Sequence, residues 1–450
     1  MGRQIMKKDY LIEEKPLKAL LVFAFPMIIG NLFQQFYTMV DSVVVGRFVS
    51  ENALAAVGAS YSLTNVFISI AIGGGVGASV ITSQYFGAKY YEKMKQSVRT
   101  ALTSFLVLSI FLGIVGLVMS RQIMVWLNTP ANILDQASEY LRIYFLGLPF
   151  LFMYNIFSAM FNALGRSKVP LFLLIFSSLF NIVLDVVMVC SFDMGIAGVA
   201  WATLIAQGIS AVFAALIFSR EMKSYRVHAT GWFVPGEFYG MSKVALPSIL
   251  QQSTISIGMM LVQSVVNSFG SEALAGFSAG MRIETICVVP MSAMGNVLSS
   301  YTAQNIGAKR FDRVKKGYHT GYGIVAVFAV VLCLWLELFY DPLIRMFLGE
   351  DGTAVALATG MDYLKFIGWF FVLIGMKMIT DGVLRGSGDM KMFTVANMAN
   401  LGLRVVLAMT LAPRFGIHMV WVAVPIGWLV NYVISFAEYR TGKWRTRNIS

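Results

Sequence analysis

Charge is what this sequence lacks most. Only 13% of its 450 residues are Asp, Glu, Lys or Arg, whereas 57% are hydrophobic and the mean hydropathy is +0.71. A soluble chain of this length has too little interior to hide so much apolar surface, so its solvent is a bilayer. Cysteine is nearly missing: Cys190, Cys287 and Cys333 all fall inside apolar runs, which excludes a disulfide framework. The three histidines, His228, His319 and His418, are too far apart in sequence to suggest a metal site. No Walker motif occurs, which argues against direct drive by ATP. Gly73-Gly-Gly-Val-Gly77 lacks the Lys-Ser/Thr of a phosphate loop and lies within an apolar run, where it suits close helix packing. No clustered Ser/His/Asp or Cys/His set is visible, so the chain reads as neither an enzyme nor a holder of a cofactor.

Long apolar runs are what it has. They cover roughly 17–46, 54–84, 99–119, 137–163, 169–191, 196–219, 241–268, 273–303, 317–338, 354–384, 391–412 and 417–439. A helical span needs about 20 apolar residues, and barrel strands are far shorter. The expected fold is therefore an all-α membrane protein of twelve transmembrane helices. The net charge of +12 does not point to nucleic acid, because the basic residues fall on one side of the bilayer. Arg3, Lys7, Lys8, Lys15 and Lys18 precede the first span, and Arg440, Lys443, Arg445 and Arg447 follow the last. Even-numbered loops hold Lys89, Lys93, Lys95 and Arg99, then Arg220, Lys223 and Arg226, then Lys309, Arg310, Arg313, Lys315 and Lys316. Odd-numbered loops offer only Arg47, Arg121, Arg345 and Arg414. Basic residues stay inside, so both termini are expected in the cytoplasm and the number of spans is even. The first run is too long for a cleaved signal peptide.

The chain repeats itself at a spacing of about 220 residues. Gln84-Tyr-Phe-Gly-Ala-Lys89 returns as Gln304-Asn-Ile-Gly-Ala-Lys309, Ala53-Leu-Ala-Ala56 as Ala273-Leu-Ala-Gly276, and Pro26 as Pro247. Leu164-Gly-Arg-Ser167 answers Leu384-Arg-Gly-Ser387, and Asn181 answers Asn400. Two six-helix lobes are expected, 1–219 and 241–450, joined by a polar cytoplasmic linker at 220–240 with Gly231, Pro235 and Gly236. Six helices per repeat give both halves one orientation, related by a pseudo-two-fold along the membrane normal.

A charged residue in hydrocarbon costs at least about 2.5–3.5 kcal/mol, so intramembrane polar groups are functional candidates. Gln34, Tyr37, Thr38 and Asp41 share one face of the first span, and Asn181 and Asp185 share one face of the fifth. The fourth span adds Asn155, and the sixth adds Thr203 and Gln207. Two carboxylates with amide and hydroxyl oxygens suit a hard cation, or a shared proton. The plainer alternatives put Asp41 at the outer interface and make Asn181 a bridge between helices. In the second half, Lys377 and Asp381 lie four apart and read as a structural or gating pair. Arg282, Glu284 and Arg404 can pair similarly, and Arg142 snorkels to an interface. Met259, Met260, Met281, Met376 and Met378 are either part of an adaptable pocket or ordinary packing.

The order of these motifs over two repeats resembles the multidrug and toxic compound extrusion (MATE) family. It runs from proline in the first span through Gln34, Tyr37, Asp41, Val-Gly46, Ala-Leu-Ala-Ala-Val-Gly58 and Gln84-Tyr-Phe-Gly-Ala-Lys89 to Leu-Arg-Gly-Ser-Gly-Asp389. The resemblance implies alternating access and export of small organic compounds, cationic or amphipathic, driven by Na⁺ or H⁺ across a bacterial or archaeal cell membrane. It further implies a DinF-like branch, in which Asp41, Asn155, Asn181, Asp185 and Thr203 form the cation site. Gln34, Tyr37, Lys377 and Asp381 are left to substrate or gating. The NorM-like branch uses an acid in the seventh span, and none occurs between Leu246 and Ser268. The partners expected are a small-molecule substrate and the lipid bilayer, with the protein a monomer. Rival readings are a flippase for lipid-linked saccharides, which would carry further helices and a strongly cationic cavity, and a membrane-embedded enzyme.

Overall fold

A computed structural model describes residues 9–349 and 352–446, so Arg3, Lys7, Lys8 and Arg447 of the basic tails lie outside the described residues. Fifteen α-helices follow one another among the described residues. They are α1 (Tyr10–Glu13), α2 (Pro16–Val44), α3 (Glu51–Gly87), α4 (Tyr91–Trp126), α5 (Leu134–Leu146), α6 (Leu148–Ala163), α7 (Lys168–Val186) and α8 (Gly195–Ser224), then α9 (Pro235–Asn267), α10 (Ser271–Gly307), α11 (Phe311–Leu348), α12 (Ala354–Ile367), α13 (Phe371–Ser387), α14 (Met390–Phe415) and α15 (His418–Thr441). Eleven stretches are long and apolar enough to cross a bilayer, and a twelfth if α5 and α6, bent by 49° where they meet, are one span. The chain is an all-helical membrane protein of eleven to twelve candidate spans.

The internal repeat extends to the backbone. Left-handed residues recur in register: Lys89 (φ 60°) with Lys309 (φ 58°), Asn128 (φ 55°) with Gly349 (φ 76°), and Gly195 (φ 58°) with Gly416 (φ 106°). Both broken spans fit the same register, since α5 stops at Gly147 and α12 stops at Gly368, where a single 3₁₀ turn, Gly368–Phe370, leads into α13. Glycine lacks a side chain to hold a helix straight, and Pro149 follows Gly147.

Helix α4 shows how a membrane helix inverts the soluble pattern. Ser97, Ala101, Phe105, Ser109, Gly113, Gly116 and Ser120 form its buried stripe at steps of three and four, while Val107, Phe111, Ile114 and Val118 are exposed. Small residues let neighbouring helices approach, and the large apolar ones meet lipid tails. The same rule explains Gly73 and Gly77 in α3. A Cβ on Gly77 would come within 2.7 Å of the Ala245 nitrogen, and one on Gly73 within 2.8 Å of the Ile249 Cα. These glycines are the contact surface of α3 with α9.

Packing divides the chain into two compact units. Phe25–Ile249 form one, and the chain before Phe25 and after Ile249 forms the other. The partition therefore cuts through α2 and α9 rather than through the linker. Each of these helices carries a proline within three residues of the cut, Pro26 and Pro247. The loop itself is confined to 225–234, because α8 continues to Ser224 and Pro235 begins α9 with the fixed φ that favours a first helical turn.

Basic side chains clamp the segment that precedes each of those helices. In the first unit Lys95 Nζ donates to the carbonyls of Tyr225 (2.6 Å) and Val227 (2.9 Å), and Arg99 donates to that of Ala229 (2.6 Å). In the second, Arg313 donates to the carbonyls of Leu11 (3.1 Å) and Glu14 (2.6 Å), and Arg310 to that of Ile12 (2.9 Å). Asn305, held by Arg313 at 3.0 Å, adds a bond to Leu11. Hydrogen bonds from charged groups contribute about 1.5–3 kcal/mol each. Arg313→Ala is therefore expected to raise the opening of the α1 segment at least tenfold, read as faster trypsin cleavage after Lys18 in detergent. Unchanged cleavage would show that the apolar contacts of α1 suffice.

Candidate functional site

The polar groups of the first unit converge where two spans lose regular α-helical winding. Asp41 lies one turn before a π-helical turn at Val45–Val49, and Asp185 just before another at Val187–Ser191. The two π turns touch. Such turns widen the helix by one residue and recur at functional sites. Here they close the ends of α2 and α7 around one spot.

At that spot Asp185 is fully buried, Asn181 is 2% exposed, and Asp41 is half-buried. The Asp41 and Asp185 carboxyls stand side by side, close enough to act directly on each other. Asn181 donates its amide to the Tyr37 hydroxyl, and the Thr203 hydroxyl reaches the same tyrosine while also bonding the Val199 carbonyl at 3.2 Å. That leaves four buried oxygens facing no donor: Asp41 Oδ1, both Asp185 oxygens and Asn181 Oδ1. An unmatched buried acceptor costs about 1–3 kcal/mol, and two carboxylates together cost more. A proton or a hard cation is what such an oxygen set matches.

Tyr37, Asp41, Asn181, Asp185 and Thr203 are thus brought together. Asn155 is not shown to join them, since its amide donates to the Leu151 carbonyl of its own helix at 2.8 Å. Gln34 and Thr38 are exposed, and Thr38 bonds the Gln34 carbonyl at 2.9 Å. Sequence reasoning passed over Tyr140, which lies within electrostatic reach of both carboxylates. Its signal was present as a hydroxyl one turn from Tyr144 in an apolar run.

The second unit holds Lys377 and Asp381 as a buried ion pair, Nζ to Oδ2 at 3.2 Å. Asn397 bridges them, accepting from Lys377 (3.2 Å) and donating to Asp381 (3.2 Å). Ser435 donates to the other Asp381 oxygen at 2.6 Å, and Asn431 and Gln251 both donate to Asn397. Every charge here has its partner. Glu284 is buried and accepts from the Tyr363 hydroxyl, with Arg404 near enough to offset its charge. Arg282 and Arg142 are exposed.

The repeat and the fold are shared with known proteins. The MatE family model matches twice, over residues 26–187 and 247–410, once in each repeat. The chain is 30% identical over 447 residues to the probable multidrug resistance protein YpnP of Bacillus subtilis (strain 168), covering 99% of each. It is 24% identical over 419 residues to the multidrug export protein MepA of Staphylococcus haemolyticus (strain JCSC1435), covering 92% of this chain and 91% of that one. Its fold superposes with a TM-score of 0.89 on an outward-facing multidrug resistance MATE transporter, at 23% identity over 99% of this chain and 100% of the other. A matching model in both repeats, on an all-helical membrane fold, makes this chain a member of the MATE family of multidrug efflux transporters.

Proposed function

We propose that the chain is a cation-coupled antiporter that exports small organic compounds, cationic or amphipathic, by alternating access, with Na⁺ or H⁺ taken up between Asp41 and Asp185. The observation that carries this reading is the set of four buried, donor-free oxygens on α2 and α7. Acids in this half, and none between Leu246 and Ser268, favour the DinF-like arrangement. We further propose that the protein works as a monomer in the cell membrane with both termini in the cytoplasm, and that its lobes correspond to 1–219 and 241–450 around the 220–240 linker.

A cation entering the site offsets two negative charges and supplies the missing partner to their oxygens. Tyr37 and Asn181 tie α2 to α7, so a change at the carboxylates is felt along α2. Pro26 removes one backbone bond from that helix and gives it a place to bend. Helix α9 has the same device at Pro247. One charge descending 100 mV supplies about 2.3 kcal/mol, before any concentration gradient.

Proteoliposomes of the purified protein, given ethidium and either a Na⁺ or a pH gradient, test this directly. Ethidium movement under one gradient names the coupling ion. No movement of ethidium or of an anionic amphiphilic dye under either gradient, with the protein folded, removes the antiport reading.

A further inference from the structure

We infer that the second unit carries a separate binding recess for the acidic head of an amphipathic small molecule, a carboxylate or phosphate monoester with an apolar tail. The recess lies between α9, α13 and α14 and encloses about 40 Å³, the size of a head group rather than of a whole ligand. Its lining includes the two cations Lys377 and Arg404 and no acid. Asp381 and Glu284 sit behind that lining, the first engaged by Lys377, Asn397 and Ser435, the second by Tyr363. Their charges balance the two cations, and neither acid lines the recess.

The charged groups that line the recess are donors. An ammonium has three N–H bonds, and Lys377 commits two of them, to Asp381 and Asn397 at 3.2 Å each. The Arg404 Nε–H is buried without a partner. A guanidinium and an ammonium lining one recess match the two oxygens of a carboxylate or phosphate. An organic cation placed here would meet two positive charges and no acceptor of opposite sign. Ile255 and Leu401 supply an apolar wall, and Gly258 lets Leu401 pack directly on α9 where a Cβ would collide with it. Inorganic anions gain nothing from that wall, so the ligand is amphipathic. None of the five methionines singled out from the sequence lines the recess. That this ligand is cargo rests on the transport reading above; its binding does not.

Calorimetric titration of the intact protein in a neutral maltoside detergent tests the inference without transport. The probes are hexyl phosphate, inorganic phosphate and hexyltrimethylammonium. Hexyl phosphate is expected to bind saturably, at least tenfold tighter than inorganic phosphate, and not to be displaced by the ammonium compound. Arg404→Gln should weaken it tenfold or more and Arg404→Lys much less. Thr254→Trp, which fills the recess without touching either cation, should abolish binding while thermal stability is kept. Displacement by hexyltrimethylammonium, equal affinity for inorganic phosphate, or undiminished binding in folded Thr254→Trp would overturn the assignment.

Discussion

Asp41→Asn abolishes ion-driven export: initial rates of ethidium movement in proteoliposomes fall at least about 100-fold, to the level of protein-free vesicles. A factor of 100 corresponds to about 2.7 kcal/mol of lost coupling, well within what one buried carboxylate contributes to binding a cation. The amide keeps the size of the side chain but cannot offer a charge to Na⁺ or exchange a proton. Asp185→Asn is expected to match it, and the double substitution to be no worse than either alone, because both carboxylates serve one site. Thr203→Ala and Asn155→Ala should cost less, since each hydroxyl or amide already bonds its own helix backbone. The thermal unfolding midpoint of Asp41→Asn should stay level or rise. Replacing a poorly matched carboxylate with an amide removes a burial cost. Full transport by folded Asp41→Asn would sink the assignment, and a collapsed midpoint would show a structural role instead.

Asp381→Ala has the largest expected effect on stability. It strips Lys377 of its counter-ion in a site where both side chains are 4% exposed. Breaking a buried pair from one side costs about 3–5 kcal/mol, because the remaining charge is stranded. Ser435 and Asn397 lose an acceptor at the same time. Removing both charges as Lys377→Met with Asp381→Leu should recover a large part of that loss. Unfolding by SDS titration in mixed micelles measures both. If the single variant loses less than about 1 kcal/mol, a typical net value for one hydrogen bond, the pair is not the core of this network.

The two sites differ in a way that fits different work. Around Asp381 every oxygen of the carboxylate has a donor, and the acceptor of Asn397 is shared among three groups. Around Asp185 neither oxygen has one. A satisfied network stabilises a single packing arrangement, while an unsatisfied one changes energy when a cation arrives.

Hydropathy placed most spans within a few residues, because a helix that must satisfy its own backbone in lipid needs a long apolar run. It fell short at both ends of α4 and α11, whose ends are polar. The 220-residue echo announced the paired turns at Lys89 and Lys309, where identical Gly-Ala-Lys triplets adopt the same left-handed bend. Isolated carboxylates in apolar runs marked Asp41 and Asp185, since burying charge is too costly to be casual. Helical spacing likewise gave the Lys377–Asp381 pair, which is local to one turn. Contacts between distant segments were beyond it. Only tertiary structure brought Tyr37 to Asn181 and left Asn155 bonded to its own helix, because those outcomes depend on how α2, α6 and α7 rotate against each other. Tertiary structure also surrounded Asp381 with Asn397, Asn431 and Ser435 from two later helices. It turned Arg313 and Lys95 from markers of membrane side into clamps on backbone carbonyls. Composition and periodicity fix where the chain leaves water and which residues share a helix face; which faces meet is decided by packing.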